Sequence, residues 1–354
     1  MMKGLKTKEY EELREELDNC QNPLYLFHDD PDGLCSFLLF YKYKREGNGV
    51  IVKSTPRIDL KYLRKVEEYK PDKIFVLDIA DISQDFIDAV NIPIIWFDHH
   101  GPYERRNVKY FNPRLHYKDY NPPVSYMAYF VVEENEWLSL VGMVADWYLP
   151  PEKERRKLSK RFPDLLPEAV DRPEQALFNS PVGKLCKIFS FILKGTSRDA
   201  MKYVKIMTRI KTPEELMNCG SSQAKYICKK YEKINAMYED LLNTAKKNVT
   251  KSMFLKFFYS EDTTSFTGDL ANELLYLYPE KIILIARQKS GEMKCSLRAA
   301  NFDLPPIIDN SIMGLEGAYG GGHKNAAGVV VKREDFDLFL ERMKKEAKRQ
   351  LKEN

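Results

Sequence analysis

The sequence predicts an α/β protein: a parallel-sheet domain with a helical insert and a connector helix, followed by a smaller α/β domain. Three observations support this. Short apolar runs rich in Ile, Val and Phe alternate with helical stretches through the first third of the chain, as in strands buried on both faces of a parallel sheet. A long, basic, helical stretch without strand character follows. Strand-like runs then return from about residue 250. A length of 354 residues is enough for two or three domains with sizeable cores. The expected boundaries are 1–150, 151–249 and 250–354.

Element by element, the charged segment from Met1 to Leu17 reads as a helix and not as a signal peptide. Strand Leu24–Phe27 is followed by helix Leu34–Lys44, strand Val50–Lys53, helix Asp59–Tyr69, strand Ile74–Leu77, helix Gln84–Val90 and strand Ile92–Phe97. Pro71-Asp72 and Asn91 to Pro93 mark helix-to-strand turns. Val124 to Asp146 is helical. Ser221–Val249 reads as one long amphipathic connector helix. Strands are expected at Met253–Tyr259, Lys281–Ala286, Met293–Arg298 and Val329–Lys332, with helices near Gly268–Tyr276 and at Arg333–Lys352.

The composition excludes several classes. Apolar residues are 44% and charged residues 31%, which is ordinary for a globular protein and unlike a disordered one. No run approaches eighteen apolar residues, so no membrane span is expected. The net charge of +4 fits a local groove for nucleic acid but not a globally cationic binder. The six cysteines form no CxxC pair and read as reduced thiols of a cytoplasmic protein. Abundant Lys and Glu with many Ile and Tyr fit a thermophilic, archaeal source.

The five histidines carry the most information. Strand Leu24–Phe27 ends in His28-Asp29-Asp30-Pro31-Asp32-Gly33, strand Ile74–Leu77 ends at Asp78, and strand Ile92–Phe97 ends in Asp98-His99-His100-Gly101. Another carboxylate, Asp146, closes the helical run that contains Gly142. In an open parallel sheet the carboxyl ends of the strands form the ligand crevice, so these residues are expected to converge there. Crowded carboxylates repel, and cations offset that repulsion. Oxygen and imidazole ligands without thiolates suit Mn²⁺ or Mg²⁺, and a pair of such ions can activate water for phosphoryl displacement. An isolated strand-end Asp is more often a cap or turn residue. The conjunction of all of them at one sheet edge argues for a site.

These motifs resemble those of the DHH phosphoesterase superfamily, of the RecJ-like exonuclease and oligoribonuclease type. Asp98-His99-His100 resembles the DHH triplet itself, Asp30-Pro31-Asp32-Gly33 the DxDG element, Asp78 the lone strand-end Asp, and Gly142 to Asp146 the GxxAD element. Phe111-Asn112-Pro113 followed by Ser125 matches the run after the triplet. Gly320-Gly321-Gly322-His323 through Gly328 resembles the GGGHxxAAG signature of the DHH-associated substrate domain, with Ser296-Leu297-Arg298 as its SxR strand. Glycines there let backbone amides approach a phosphate, while His323 and Arg298 can bind its oxygens.

The resemblance implies two Mn²⁺, with Mg²⁺ as an alternative. His28, Asp30 and Asp78 would hold one, and Asp32, Asp78, His99 and Asp146 the other, with Asp78 bridging. His100 would face the scissile phosphate, with Asp98 orienting His99 or His100. Ser296, Arg298, Gly320, Gly321, Gly322 and His323 would bind the substrate. Many members carry a His four residues before the first Asp of DxD; here that residue is Leu26, and His28 stands two residues before Asp30.

The implied activity is a single-strand-specific exonuclease on DNA or RNA that releases nucleoside 5′-monophosphates. The 3′→5′ direction is favoured because the OB-type domain of 5′→3′ RecJ enzymes is not visible. The alternatives are a phosphodiesterase for short oligonucleotides or cyclic dinucleotides, and a non-catalytic replication-fork scaffold. A helicase or a replication or repair protein is the implied partner class. In the insert, Arg155, Arg156, Lys157, Lys160, Arg161, Lys202, Lys205, Arg209 and Lys211, with Phe189 and Tyr203 interleaved, read as a track for a single strand. A solvated helix face is the competing reading.

Overall fold

A computed structural model describes residues 4–53, 57–260 and 264–353. The first three residues of the expected N-terminal helix lie outside the described residues, and the helix itself runs Thr7–Asp18. The chain divides into two units, Met1–Tyr231 and Glu232–Asn354. The division falls inside the long helix Ser222–Lys247.

Seven strands belong to the first unit: β1 (Pro23–His28), β2 (Asn48–Val52), β3 (Arg57–Ile58), β4 (Lys73–Leu77), β5 (Asp81–Ile82), β6 (Ile94–Phe97) and β7 (Lys109–Phe111). Five form a parallel sheet in the order β2-β1-β4-β6-β7, and β3 pairs with β5. Alternation along the strands sends Tyr25, Phe27, Phe75, Leu77, Ile95 and Phe97 into one core, and Leu24, Leu26, Ile74, Val76, Ile94 and Trp96 into the other. The register aligns Phe27, Leu77, Phe97 and Phe111 across the sheet. The next residue of each strand therefore falls on one row: His28, Asp78, Asp98 and Asn112. The short strand β7 was not among the expected strands, because three residues without a β-branched run show no period.

The expected helix over 124–146 is two helices, Val124–Val132 and Glu136–Ala145. Glu133 and Asn135 take left-handed backbone between them, which ends the first helix with a bound carbonyl at Tyr129. The insert is built into the first unit. Leu185, Ile188, Phe189 and Ile192 join the core that also holds Leu138 and Val141. Phe189 is fully buried against Trp137, so it is a core residue and cannot stack a base. Burial of a Phe side chain contributes about 2–3 kcal/mol, which explains its place at that position. Tyr203 instead stacks on Tyr226, with the Lys230 ammonium over its ring.

The expectation of six reduced thiols is corrected: Cys219 and Cys228 are joined in a disulfide. Cys219 turns the chain after helix Pro213–Met217, and Cys228 lies in the next helix. The turn brings the two Cα atoms to 6.2 Å, a spacing compatible with a bridge. Cys20, Cys35, Cys186 and Cys295 are free and buried. No described helix is long and apolar enough to cross a membrane.

The second unit holds β8 (Phe254–Ser260), β9 (Ile282–Lys289), β10 (Glu292–Arg298), β11 (Tyr319–His323) and β12 (Ala326–Lys332), in the order β11-β12-β10-β9-β8. Only β8 and β9 pair in parallel among these neighbours. The glycine-rich segment begins with the edge strand β11, exposed along its whole length. Backbone pairing with β12 holds it there, which glycine propensity alone does not foretell. Helices Leu304–Ile312 and Phe336–Glu353 cover this sheet's core.

Candidate metal centre

The acidic residues around the strand-end row are held by different devices. Asp30 caps helix Pro31–Lys44: Gly33 N donates to its Oδ1 at 2.9 Å. Its Oδ2 lies 2.9 Å from His28 Nδ1. A Cβ at Gly33 would stand 2.6 Å from the His28 carbonyl oxygen, so only glycine lets the helix start this close to β1. Asp32 is buried in the first turn of that helix. Val124 N and Ser125 N donate to its two carboxylate oxygens at 2.8 and 2.9 Å, so this side chain anchors the start of helix Val124–Val132. That helix also meets Gly142, where a Cβ would clash with Ser125 Oγ at 2.2 Å. The glycines of the two motifs are thus packing requirements.

Asp78 stands at the centre. It is 1% exposed, it takes left-handed backbone (φ 58°), and neither carboxylate oxygen accepts a hydrogen bond. His28 Nδ1 lies 3.4 Å from its Oδ2, and His99 Nε2 lies 3.4 Å from its Oδ1. A buried carboxylate without donors is costly unless a charge balances it. Asp146 caps the end of helix Glu136–Ala145 and brings Oδ2 to 3.8 Å from His99 Nε2.

Three sets of ligand atoms each lie within 4.8 Å of one another: His28, Asp30 and Asp78; Asp32, His99 and Asp146; and Asp78, His99 and His100. Asp78 and His99 each serve two sets. The sequence-expected ligands are therefore brought together, and Leu26 stays in the opposite core. Oxygen and imidazole atoms with no thiolate, around an orphaned carboxylate, fit Mn²⁺ or Mg²⁺.

Asp98 belongs to His100. His100 Nδ1 is 2.7 Å from Asp98 Oδ1, and His100 N donates to Oδ2 at 3.0 Å. His99 Nδ1 instead lies 3.4 Å from the Asn121 carbonyl. Asp98 is fully buried, and it also accepts from Asn112 Nδ2 and the Tyr110 hydroxyl. Asn112 donates in turn to the His100 carbonyl at 3.0 Å. Asn112 was legible as a motif residue but not as a support of the triplet. Its position supplied the signal, since it occupies the same strand-end row.

The charges are strongly coupled. Burial, then the charge of Asp78, pushes the Asp32 carboxyl up to about 7, against the attraction of His99. Burial likewise raises Asp146 well above the carboxylate range. Burial also works against ionised Asp78, yet His28 and His99 hold it well below that range. Burial presses both imidazoles down, while Asp30 and Asp78 around His28, and Asp78 and Asp146 around His99, lift them well above their usual value. The cluster thus traps protons where cations could sit.

Elsewhere, His116 Nε2 pairs with Glu9 Oε1 at 2.8 Å, a structural role. In the second unit Arg298 Nε donates to Asn272 Oδ1 at 2.6 Å and Nη1 to the Leu297 carbonyl at 2.8 Å. Ser296 pairs with Gly328 across β10 and β12, and Gly320 to His323 stay exposed on β11.

Residues 24–167 match the DHH family, N-terminal domain, and residues 251–349 match the DHHA1 domain. No curated protein sequence matches the chain. Among solved structures, the fold is similar to RecJ from Thermus thermophilus in complex with Mn²⁺, with TM-score 0.65 and 17% identity over 97% of this chain. This chain spans about half of that enzyme, 54% of its length. It is similar to an exonuclease RecJ bound to manganese, with TM-score 0.63 and 14% identity over 98% of this chain and 96% of the other. It is also similar to the DHH domain of a member of a ribosomal-protein family, with TM-score 0.65 and 15% identity over 96% and 89% of the two chains. With the DHH motifs gathered on one strand-end row and a DHHA1 domain following in the chain, the protein belongs to the DHH phosphoesterase superfamily.

Proposed function

We propose that the chain is a divalent-metal-dependent exonuclease that degrades single-stranded DNA or RNA, in the 3′→5′ direction, to nucleoside 5′-monophosphates. The observation that carries this reading is Asp78, a buried carboxylate with no hydrogen-bond donor, which belongs both to the set with His28 and Asp30 and to the set with His99 and His100, while His99 also joins the set with Asp32 and Asp146. His28, Asp30 and Asp78 would hold one cation; Asp32, Asp78, His99 and Asp146 would hold a second. Mn²⁺ is the favoured ion and Mg²⁺ the alternative. When bound, such a pair polarises the phosphoryl group and lowers the pKa of water.

The chain's own residues do the rest. His100 spends Nδ1 on Asp98 and keeps its Nε2 edge for a phosphate oxygen, with its side chain 37% exposed. Asp98 acts through His100, as a positioning residue. Asp32 is oriented by two backbone amides. Ser296, Arg298, Gly320, Gly321, Gly322 and His323 would take the substrate's phosphate and nucleoside. Arg298 commits Nε and Nη1 within the protein, which fixes its plane and leaves further donors. A helicase or a replication or repair protein is the partner class this reading implies.

The test is digestion of 5′- and 3′-labelled DNA and RNA strands, from dinucleotides upward, with Mn²⁺ and then Mg²⁺. Progressive release of mononucleotides from the 3′ end is expected. Cleavage restricted to dinucleotides or cyclic dinucleotides would sink the exonuclease reading. No cleavage of any strand would leave a scaffold.

A further inference from the structure

We infer that the first unit carries a second nucleic-acid site, a groove along the free edge of β2 that holds single-stranded nucleic acid away from the metal-ligand end of the sheet. The choice of a nucleic acid as ligand rests on the function proposed above; the groove's anionic preference does not. β2 is the outermost strand of the parallel sheet. Beside it lies a groove of about 750 Å³, closed by helices Leu63–Tyr69 and Ser197–Met207. That volume falls within the range of ligand sites.

Its charge is one-sided. Lys65, Arg198, Lys202, Lys205 and Arg209 line it, and no Asp or Glu does. Lys65 is paired with Glu68 at 2.6 Å and Lys202 with Asp199 at 3.5 Å. Among the described residues Arg198, Lys205 and Arg209 have no carboxylate partner, and all three are exposed. Positions 198, 202 and 205 follow i, i+4, i+7 spacing, so they stand on one helix face, about 6 and 4.5 Å apart along the axis. Two of these three cations, Arg198 and Lys205, have no carboxylate partner among the described residues, and the net positive row calls for a polyanion.

The floor is aromatic. Phe37 underlies the groove as a buried core residue, stacked on Phe27 with ring centroids 4.6 Å apart, and supports the floor without offering a face to a base. A Cβ at Gly49 would stand 2.8 Å from the Phe37 ring, so glycine lets the strand edge lie flat on it. Tyr41 and Tyr69 flank the floor, half-buried. Partly exposed tyrosines beside a row of cations, with Lys65 over the Tyr69 ring at 5.6 Å, are the kind of element that binds single strands without reading sequence. Cations also guard exposed strand edges against pairing, but a guard fills its gap and leaves no groove of ligand size. An added protein strand is the other candidate occupant. β2 offers it only five residues, Gly49 among them, whereas guanidinium forks match phosphate directly.

The groove leads to the site. The register pairs Asn48 with Leu24 and Val52 with His28, so the groove begins about 13 Å down the strand from the first ligand. Past its upper end, Lys53 donates to the Leu193 and Gly195 carbonyls at 2.7 and 2.9 Å, and its Nζ lies 3.6 Å from Asp29. A long strand can engage both places, and a dinucleotide cannot.

The experiment compares the wild-type chain with R198E/K205E/R209E. Binding of a fluorescent single strand of about twenty nucleotides is measured by anisotropy in EDTA at several salt concentrations. Turnover of a dinucleotide is measured separately with Mn²⁺. The variant is expected to bind the long strand at least about tenfold more weakly, with a shallower salt dependence, while its dinucleotide turnover matches wild type and so reports an intact fold. Unchanged affinity for the long strand overturns the proposal. So does poly-glutamate that binds the wild type more tightly than the strand does, since the groove would then serve an acidic protein. If wild type turns over nothing, the catalytic reading fails while the anisotropy result still decides the groove.

Discussion

In the first unit, the charged residues gather around the carboxyl ends of buried parallel strands, with Asp30, Asp32 and Asp98 each pinned by a backbone amide. In the second, the glycine-rich segment lies on an exposed edge strand and only its backbone is held. The first arrangement concentrates charge in a low-dielectric place, where it is expensive and strong. The second offers surface without charge. Chemistry is thus expected to fail sharply with substitutions in the first unit, and binding to fail gradually with those in the second.

The largest effect tests the first half of that contrast. Asp78→Asn removes the shared charge from both ligand sets, and turnover is expected to fall by about a thousandfold or more. Calorimetric titration should show Mn²⁺ binding weakened at both sites. Activity within tenfold of wild type would show that Asp78 is not the bridge. Asp98→Asn is expected to cost about 10–100-fold in turnover with Mn²⁺ affinity retained, because it frees the His100 ring without touching a ligand. Equal loss of metal affinity would instead make Asp98 part of the ion site.

The second unit should respond more mildly and position by position. A Cβ at Gly322 would stand 2.3 Å from the Ala326 carbonyl, whereas one at Gly321 meets nothing within 4 Å. Gly322→Ala is therefore expected to lower the melting temperature by several degrees. Gly321→Ala should melt like wild type and raise KM alone, if a ligand approaches that backbone. Identical behaviour of the two variants would break the distinction.

The smallest effect is on stability against pH. In metal-free protein His28, His99, Asp32 and Asp146 all titrate above their ordinary values. The folded chain then binds more protons than the unfolded one, so these groups contribute stability at low pH and lose it as the pH rises, Asp32 through about 7. Asp78 has the opposite sign, contributing above about 4 and less below. Metal-free melting temperatures are expected to fall from about pH 5 to pH 8, and Mn²⁺, which displaces the protons, to abolish the decline. Scans with and without Mn²⁺ check this, and a metal-free rise over that range would contradict it.

Much of the first unit was legible because parallel-sheet logic converts sequence order into place. Buried strands read as apolar runs, and whatever follows them lands on one row, so His28, Asp78 and Asp98 group together on chain order alone. Their supports were not legible. The choice of His100 over His99 as the partner of Asp98 depends on Tyr110 and Asn112, carried by or just after a three-residue strand too short to show a period. The bridge between Cys219 and Cys228 depends on a tight helix turn that no cysteine spacing announces. Phe189 looked like a stacking platform because exposure cannot be read from a basic neighbourhood. β11 escaped notice because its strand character comes from its neighbour and not from its own glycines.

The pairing of Asp32 with the amides of Val124 and Ser125 joins residues 92 and 93 apart in sequence. One wall of the pocket is thus held by the start of a distant helix, while both oxygens of Asp78 lack a hydrogen-bond partner. A chelator should then strip cations and leave the scaffold standing, and the first cation to return should go where Asp78 is unmatched. Loading would then be an ordered event, in which the protein supplies the mould and cations complete it.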